Sequence, residues 1–152
     1  MITLKRTTSD DKNFYKLTEY LDKDLRDRYG STQEEFDQFN IMIDLDTVVI
    51  AYENNKAIGC GCFKKIENDT VELKRMFVEA EYRGKGIGIA ILKELEIWAG
   101  EIGFSSIVLE TGTLQPEAIQ LYGKQGYHNI PNYGPFIGNE LSVCMEKSLT
   151  KC

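Results

Sequence analysis

The stretch "RGKGIG" (83–88) sets three glycines in five positions where the hydrophobic repeat changes from that of a strand to that of a helix. Upstream, "TVELKRMFV" (70–78) reads as a strand. Downstream, Ile87, Ile91, Leu95, Trp98 and Ile102 form one helical stripe, with Lys93, Glu94, Glu96 and Glu101 turned away from it. Glycine is a poor helix former, so three of them at a helix start call for a tight turn or for close approach of something to the backbone.

The rest of the chain divides cleanly around that point. "MITLKRTT" alternates and reads as a first strand. Ser9, Asp10 and Asp11 offer N-caps for a helix carrying Phe14, Leu17, Leu21 and Leu25, with Gly30 as its stop. A short polar helix is expected over 33–39. "TVVIAY" (47–52), "AIGCGCFKKI" (57–66) and 70–78 are joined by the turn compositions "ENNK" and "END", which predicts a three-stranded antiparallel meander. "SSIVLET" (105–111) has the continuous apolar character of a buried strand. "QPEAIQLYGKQG" (115–126) predicts a helix with Pro116 in its first turn and Gly126 at its stop. "YHNI" and "LSVCMEKSL" supply the last strands, around the loop "PNYGPFIGNE". The expectation is an α/β (α+β) fold in one domain, 1–152. Its central sheet is mixed but mostly antiparallel, with about six to seven strands flanked by about four helices.

A nucleotide-binding P-loop needs GxxxxGK[ST], which the chain lacks. A dinucleotide fingerprint, GxGxxG, fits Gly84 and Gly86, but its third glycine falls on Ile89. Glu110 stands where the ribose-binding acid would. The preceding strand, however, is too charged for a buried parallel strand, and "EAEYR" separates it from the first glycine. An anion cradle fits better. Arg83-x-x-Gly86-x-Gly88 exposes amides at a helix N-terminus, where the first donors lack internal partners and the dipole favours negative charge. Arg83 and Lys85 add positive charge at its mouth.

The charged strand, "RGKGIG", the amphipathic helix, and the later "ETGTLQPEAIQLYGKQGY" together resemble the GNAT acetyltransferase superfamily. Its arginine/glutamine-x-x-glycine-x-glycine/alanine signature is matched at Arg83, Gly86 and Gly88. The similarity is strongest from Val71 to Tyr127 and extends through the element order, most closely to small bacterial enzymes without an assigned substrate. The resemblance implies that acetyl-CoA lays its pantetheine arm along Met76, Phe77 and Val78. The pyrophosphate would sit on Arg83, Gly84, Lys85, Gly86, Ile87 and Gly88. It implies an enzyme that moves an acetyl group to a primary amine of a small molecule by direct transfer in a ternary complex. Acetylation of a peptide or protein amine, and a non-catalytic acyl-CoA-binding module, are the alternatives.

That reaction needs a base for the ammonium, donors for the tetrahedral oxygen and an acid for the departing thiolate. By resemblance Tyr122 is the acid and Glu72, eleven residues before Arg83, the base. Glu110 is the second choice for the base, since desolvation at the end of a buried strand would raise its pKa; a water chain is the third. Gln115 stands near the family's usual asparagine and either bonds the pantetheine or caps the helix. Tyr133 and Phe136 either line the acceptor pocket or belong to an ordinary loop. Tyr127 is expected in packing and His128 in a strand.

Composition narrows the partners. A net charge of −6 offers no footprint for nucleic acid and suits a cationic acceptor. The apolar runs are too short for a bilayer span and the start lacks a secretory leader, so a cytoplasmic location is expected. Cysteines at 60, 62, 144 and 152 with a single histidine make no metal pattern, and reduced buried thiols are expected. Homodimerisation is possible, but no interface is visible in the sequence.

Overall fold

The computed structural model describes residues 1–29 and 45–149. The Gly30 stop and the helix expected over 33–39 lie outside the described residues. In chain order the elements are β1 (Ile2–Thr7), α1 (Lys12–Tyr29), β2 (Val48–Glu53), β3 (Lys56–Glu67), β4 (Thr70–Val78), α2 (Ile87–Ile102), β5 (Ser106–Gly112), α3 (Pro116–Lys124), β6 (His128–Ile130) and β7 (Ser142–Ser148). The seven strands form one sheet in the order β1-β2-β3-β4-β5-β7-β6. Only β4 and β5 pair in parallel; every other neighbour is antiparallel, as the sequence predicts.

Local chemistry sets the element ends. Of the three N-cap candidates Asp11 does the capping, accepting the Asn13 N–H at 2.9 Å on its side chain. Ser9 instead exchanges bonds with Leu45. Asn54 and Asn55 both take positive φ, the backbone a two-residue hairpin between β2 and β3 requires.

The sheet is covered on both faces. Phe14, Leu17 and Leu21 of α1 pack on Val48, Ile50, Cys60 and Cys62. The alternate residues Val49 and Ala51 face the opposite core with Ile91, Leu92 and Leu95 of α2. Double coverage explains why β2 reads as an unbroken apolar run. The expected α2 stripe is partly corrected. Its buried arc runs through Leu92 and Ala99, which places Trp98 at the rim, edge-on to Phe63 and beneath the Arg6 guanidinium. Ile102, in the last turn, is 53% exposed. Glu96, expected to face away, accepts the Tyr127 hydroxyl at 2.9 Å and pairs with Lys147 at 3.0 Å.

Besides a register shift at the Lys65/Glu67 end of the β3–β4 ladder, two irregularities lie further along β4, one on each side of it. Between Cys60/Phe77 and Cys62/Lys74 the ladder of β3 and β4 shifts, with Arg75 and Met76 set against Gly61 alone. This is a β-bulge, and Arg75 adopts φ of 58° within it. A Cβ at Gly61 would overlap the Met76 sulphur, so the bulge folds that side chain over a bare backbone. The freed carbonyls of Arg75 and Lys74 accept from the thiols of Cys60 and Cys62, each at 3.3 Å. The Arg75 guanidinium pairs with Asp22 of α1. On the other side, β4 and β5 pair only from Thr70/Ser106 to Leu73/Leu109 and then part. Beyond Leu109 the two strands form the arms of a fork.

Candidate active site

The fork opens into a cleft of about 410 Å³ between β4, α1, the start of α2 and α3. Gly84 and Gly86 have φ of 77° and 82°, in the left-handed region where a side chain is disfavoured. A Cβ on either would meet no protein atom within 4 Å, so the space above both is open. Gly86 is the N-cap of α2 and supplies no side-chain acceptor, which leaves the first-turn amides of Ile87 and Gly88 without a capping partner. Gly88 lies inside the helix, where a Cβ would make ordinary contacts with Val78 and Leu121. These groups suit a diphosphate: bare amides at a helix start, with nothing covering them.

Along β4 the Glu79 N–H bonds to Ile58 on β3. By the alternation of an antiparallel ladder, Phe77 turns its backbone groups to β3, and Met76 and Val78 present theirs to the cleft. Arg83 binds the Val78 carbonyl through Nε at 2.7 Å, lies over the Phe77 ring and reaches Asp24 at 3.8 Å. It therefore fixes the cradle to the end of β4. Lys85 lies over the Tyr82 ring. Across the cleft Arg28 of α1 pairs with Glu117 and donates to the Leu114 carbonyl at 3.1 Å, joining α1 to the start of α3. Nothing in the periodicity of α1 distinguishes Asp24 or Arg28 from an ordinary solvated face.

A second, smaller cavity of about 120 Å³ adjoins the first, and Leu21, Met76, Gln115, Ala118 and Tyr122 line both. Tyr122 stands at the junction. Burial pushes its phenol well above the ordinary tyrosine range, and its hydroxyl bonds to no described residue. Its ring meets Tyr127 edge-on at 5.6 Å. Gln115 occupies the N-cap position of α3, but its side chain does not cap the helix.

The smaller cavity carries the acid groups. Glu72 is buried: Oε2 accepts the Tyr133 hydroxyl at 2.6 Å, and Oε1 has Lys74 at 3.4 Å and Lys64 at 3.8 Å. Burial lowers the Lys74 pKa, and Glu72 opposes that shift. Glu110 accepts the Ser142 hydroxyl at 2.9 Å, and desolvation pushes its pKa up to about 7 against that bond and the nearby Lys74. Phe136 closes one side, and its ring meets Tyr133 at 5.7 Å. Cys144 pairs opposite Glu110, where burial holds its thiol protonated; Cys60 and Cys62 are fully buried in β3 with thiols raised likewise. His128 is exposed on β6.

Glu110 also couples stability to pH. Its folded pKa of about 7 exceeds the ordinary value of 4.5, so the folded state holds the proton more tightly between them. Stability from this group is therefore greatest at acid pH and falls as pH rises from about 5 to about 7. Melting temperatures at pH 5 and pH 8 should differ less in Glu110→Gln than in the unsubstituted protein. An equal difference in both would remove the shift.

The family model of the GNAT acetyltransferase family matches residues 13–127. IAA acetyltransferase of Azospirillum brasilense is 33% identical over 156 residues, covering 97% of this chain and 98% of that protein. A Klebsiella pneumoniae structure provisionally assigned as an acyl-CoA N-acyltransferase superposes with a TM-score of 0.82 at 28% identity, over 99% of each chain. The PaiA N-acetyltransferase of Thermoplasma acidophilum, solved in complex with coenzyme A, shares the fold with a TM-score of 0.70 at 21% identity, over 97% of this chain and 99% of that one. The chain belongs to the GNAT acetyltransferase family and is an acyl-CoA-dependent N-acyltransferase.

Proposed function

We propose that the chain transfers the acetyl group of acetyl-CoA directly to a primary amine on a small molecule, both substrates being bound together. The observation that carries this reading is the meeting of the two cavities at the Tyr122 ring. The cofactor's diphosphate sits on the amides of Gly84 to Gly88, and its arm runs along the free edge of β4 at Met76 and Val78. The Val78 carbonyl is shared with Arg83, so Met76 offers the less encumbered pair of groups. The thioester then lies in the fork, with the acceptor amine arriving through the smaller cavity.

The proton balance is simple. A carboxylate of the smaller cavity takes one proton from the ammonium and passes it to solvent. The neutral nitrogen bonds to the thioester carbon, and the C–S bond breaks as the thiolate leaves. Tyr122 gives the sulphur a proton and recovers one from the nitrogen, which is strongly acidic in the tetrahedral adduct. The buried thiols offer no accessible thiolate for an acetyl-enzyme, which supports direct transfer. A cavity of about 120 Å³ closed by Phe136 admits a slender amine more readily than a folded protein surface.

Acetyl-CoA at 100 times its Kd should stabilise the protein by about 2.7 kcal/mol. For a chain of this length that is a melting shift of about 5–10 °C. The same sample should release free thiol when amines are added. A protein that neither shifts nor releases thiol across amino acids, polyamines and aminosugars would overturn the proposal.

A further inference from the structure

Resting on that reading, we propose that Glu110 is the base that takes the acceptor's proton, and that Glu72 is a positioning residue which latches the 131–140 loop over the acceptor cavity through Tyr133. The fork separates the two roles. Glu72 faces Val108 inside the paired stretch of β4 and β5, whereas pairing ends at Leu73/Leu109 and Glu110 is the first β5 residue beyond it. Both carboxylates reach the smaller cavity, but Glu110 stands where the strands part and the thioester arm would enter.

Their partners divide in the same way. Both Glu72 oxygens are engaged, one by the Tyr133 hydroxyl and one by Lys74 with Lys64 beyond it. Glu72 is thus committed on both oxygens, to the loop and to the lysines, and losing either pairing in a buried site is costly. Glu110 has one oxygen on the Ser142 hydroxyl, and no described residue forms a salt bridge with it. The groups around it are Ser142 and Cys144 from β7, Glu72 and Lys74 from β4, and Tyr133 from the loop. Within that setting a proton can be taken up without breaking an ion pair.

The loop gives Glu72 its own task. The side-chain amide of Asn132 donates to the carbonyls of Phe136, Asn139 and Ser142 at 3.1–3.3 Å, so the loop is wired internally. Tyr133 packs edge-on against Phe136, the residue that closes the cavity. The Tyr133–Glu72 bond at 2.6 Å joins this unit to β4. Cutting it would loosen the wall of the acceptor site without removing a reacting group.

The test uses carboxyl-labelled glutamate NMR on the whole protein, which needs no acceptor. One glutamate should titrate near pH 7; that titration should vanish in Glu110→Gln and persist in Tyr133→Phe. Amide exchange across 131–140 should quicken in Tyr133→Phe and in Glu72→Gln. With tyramine and 1,4-diaminobutane as probe amines, Glu110→Gln should lower kcat about 100-fold and erase the rise in rate through pH 7. Glu72→Gln should mainly raise the amine KM, with kcat lowered less than about tenfold. The proposal is overturned if the near-neutral titration vanishes in Glu72→Gln instead, if no glutamate titrates above about pH 6, or if loop exchange is unaltered in Tyr133→Phe. The NMR and exchange results decide the matter even where neither amine is turned over. The acetyl-CoA melting shift, measured on the same variants, separates this failure from failure of the transferase reading, because neither carboxylate touches the diphosphate cradle.

Discussion

Tyr122→Phe should lower kcat about a thousandfold, within the range general acid catalysis supplies, and leave the Kd of acetyl-CoA nearly unchanged. The phenol is buried at the junction of the two cavities and its hydroxyl bonds to no described residue. Removing the oxygen therefore breaks no hydrogen bond to those residues, and burial of a polar group without a partner carries a cost that phenylalanine avoids. The melting temperature should hold or rise slightly. Burial keeps the phenol in its proton-bearing form over the whole working range of pH. That serves an acid, although it makes full transfer to a thiolate uphill unless the adduct nitrogen restores the proton. The Tyr122–Tyr127 ring contact survives the change, so the aromatic wall keeps its shape. Single-turnover kinetics beside a direct binding titration would separate the terms. A variant with undiminished turnover would exclude Tyr122 from acid catalysis, and one with lost cofactor affinity would make it a binding residue.

The open glycine turn at the start of α2 was legible because its signal is local. Two glycines forced to positive φ, a cation before them and an amphipathic helix after them all lie within a few turns of chain. The β2-β3-β4 meander followed from turn chemistry, and the buried character of β5 from its continuous apolar run. The fork was not legible. The bulge on the other side of β4 places Arg75, not a glycine, at positive φ, and what holds it there is distant in sequence: Asp22 on α1 and the thiols of Cys60 and Cys62. Those cysteines read correctly as buried thiols, but their use as donors to a bulge depends on pairing that no period reveals.

The two carboxylates of the smaller cavity show the same limit. Glu72 and Glu110 both sit at plausible points in their strands, and only the family resemblance favours Glu72. The distinction comes mostly from partners that approach from elsewhere in the chain: Tyr133 from a loop, Ser142 from β7 and Lys64 from β3, beside Lys74 two residues along the same strand as Glu72. A residue's basicity belongs to its surroundings, and those exist only once the chain has folded. The contribution of α1 was hidden for a similar reason. Leu21 reads as core and Asp24 and Arg28 as surface, yet all three line the larger cleft beside the glycine turn.

Gly86→Val should weaken acetyl-CoA binding about a thousandfold while the protein still folds. Two separate costs are involved. A β-branched residue at φ of 82° loses about 1–2 kcal/mol against glycine, a fall of about 2–8 °C in melting temperature. The second cost falls only on the ligand. A Cβ at Gly86 meets no protein atom within 4 Å, so the new side chain projects into the open space where the diphosphate would lie. Each charge-assisted bond lost there is worth about 1.5–3 kcal/mol, and losing two accounts for the thousandfold change. Gly103 provides the control, since it has φ of 115° at the far end of the same helix, also with open space around it. Gly103→Val should cost comparable stability and leave the acetyl-CoA Kd unchanged. Isothermal titration beside thermal melts of both variants reads the two costs apart. Equal loss of affinity in the two would mean that the glycines serve the helix ends alone; loss confined to Gly86→Val would assign the open backbone to the cofactor.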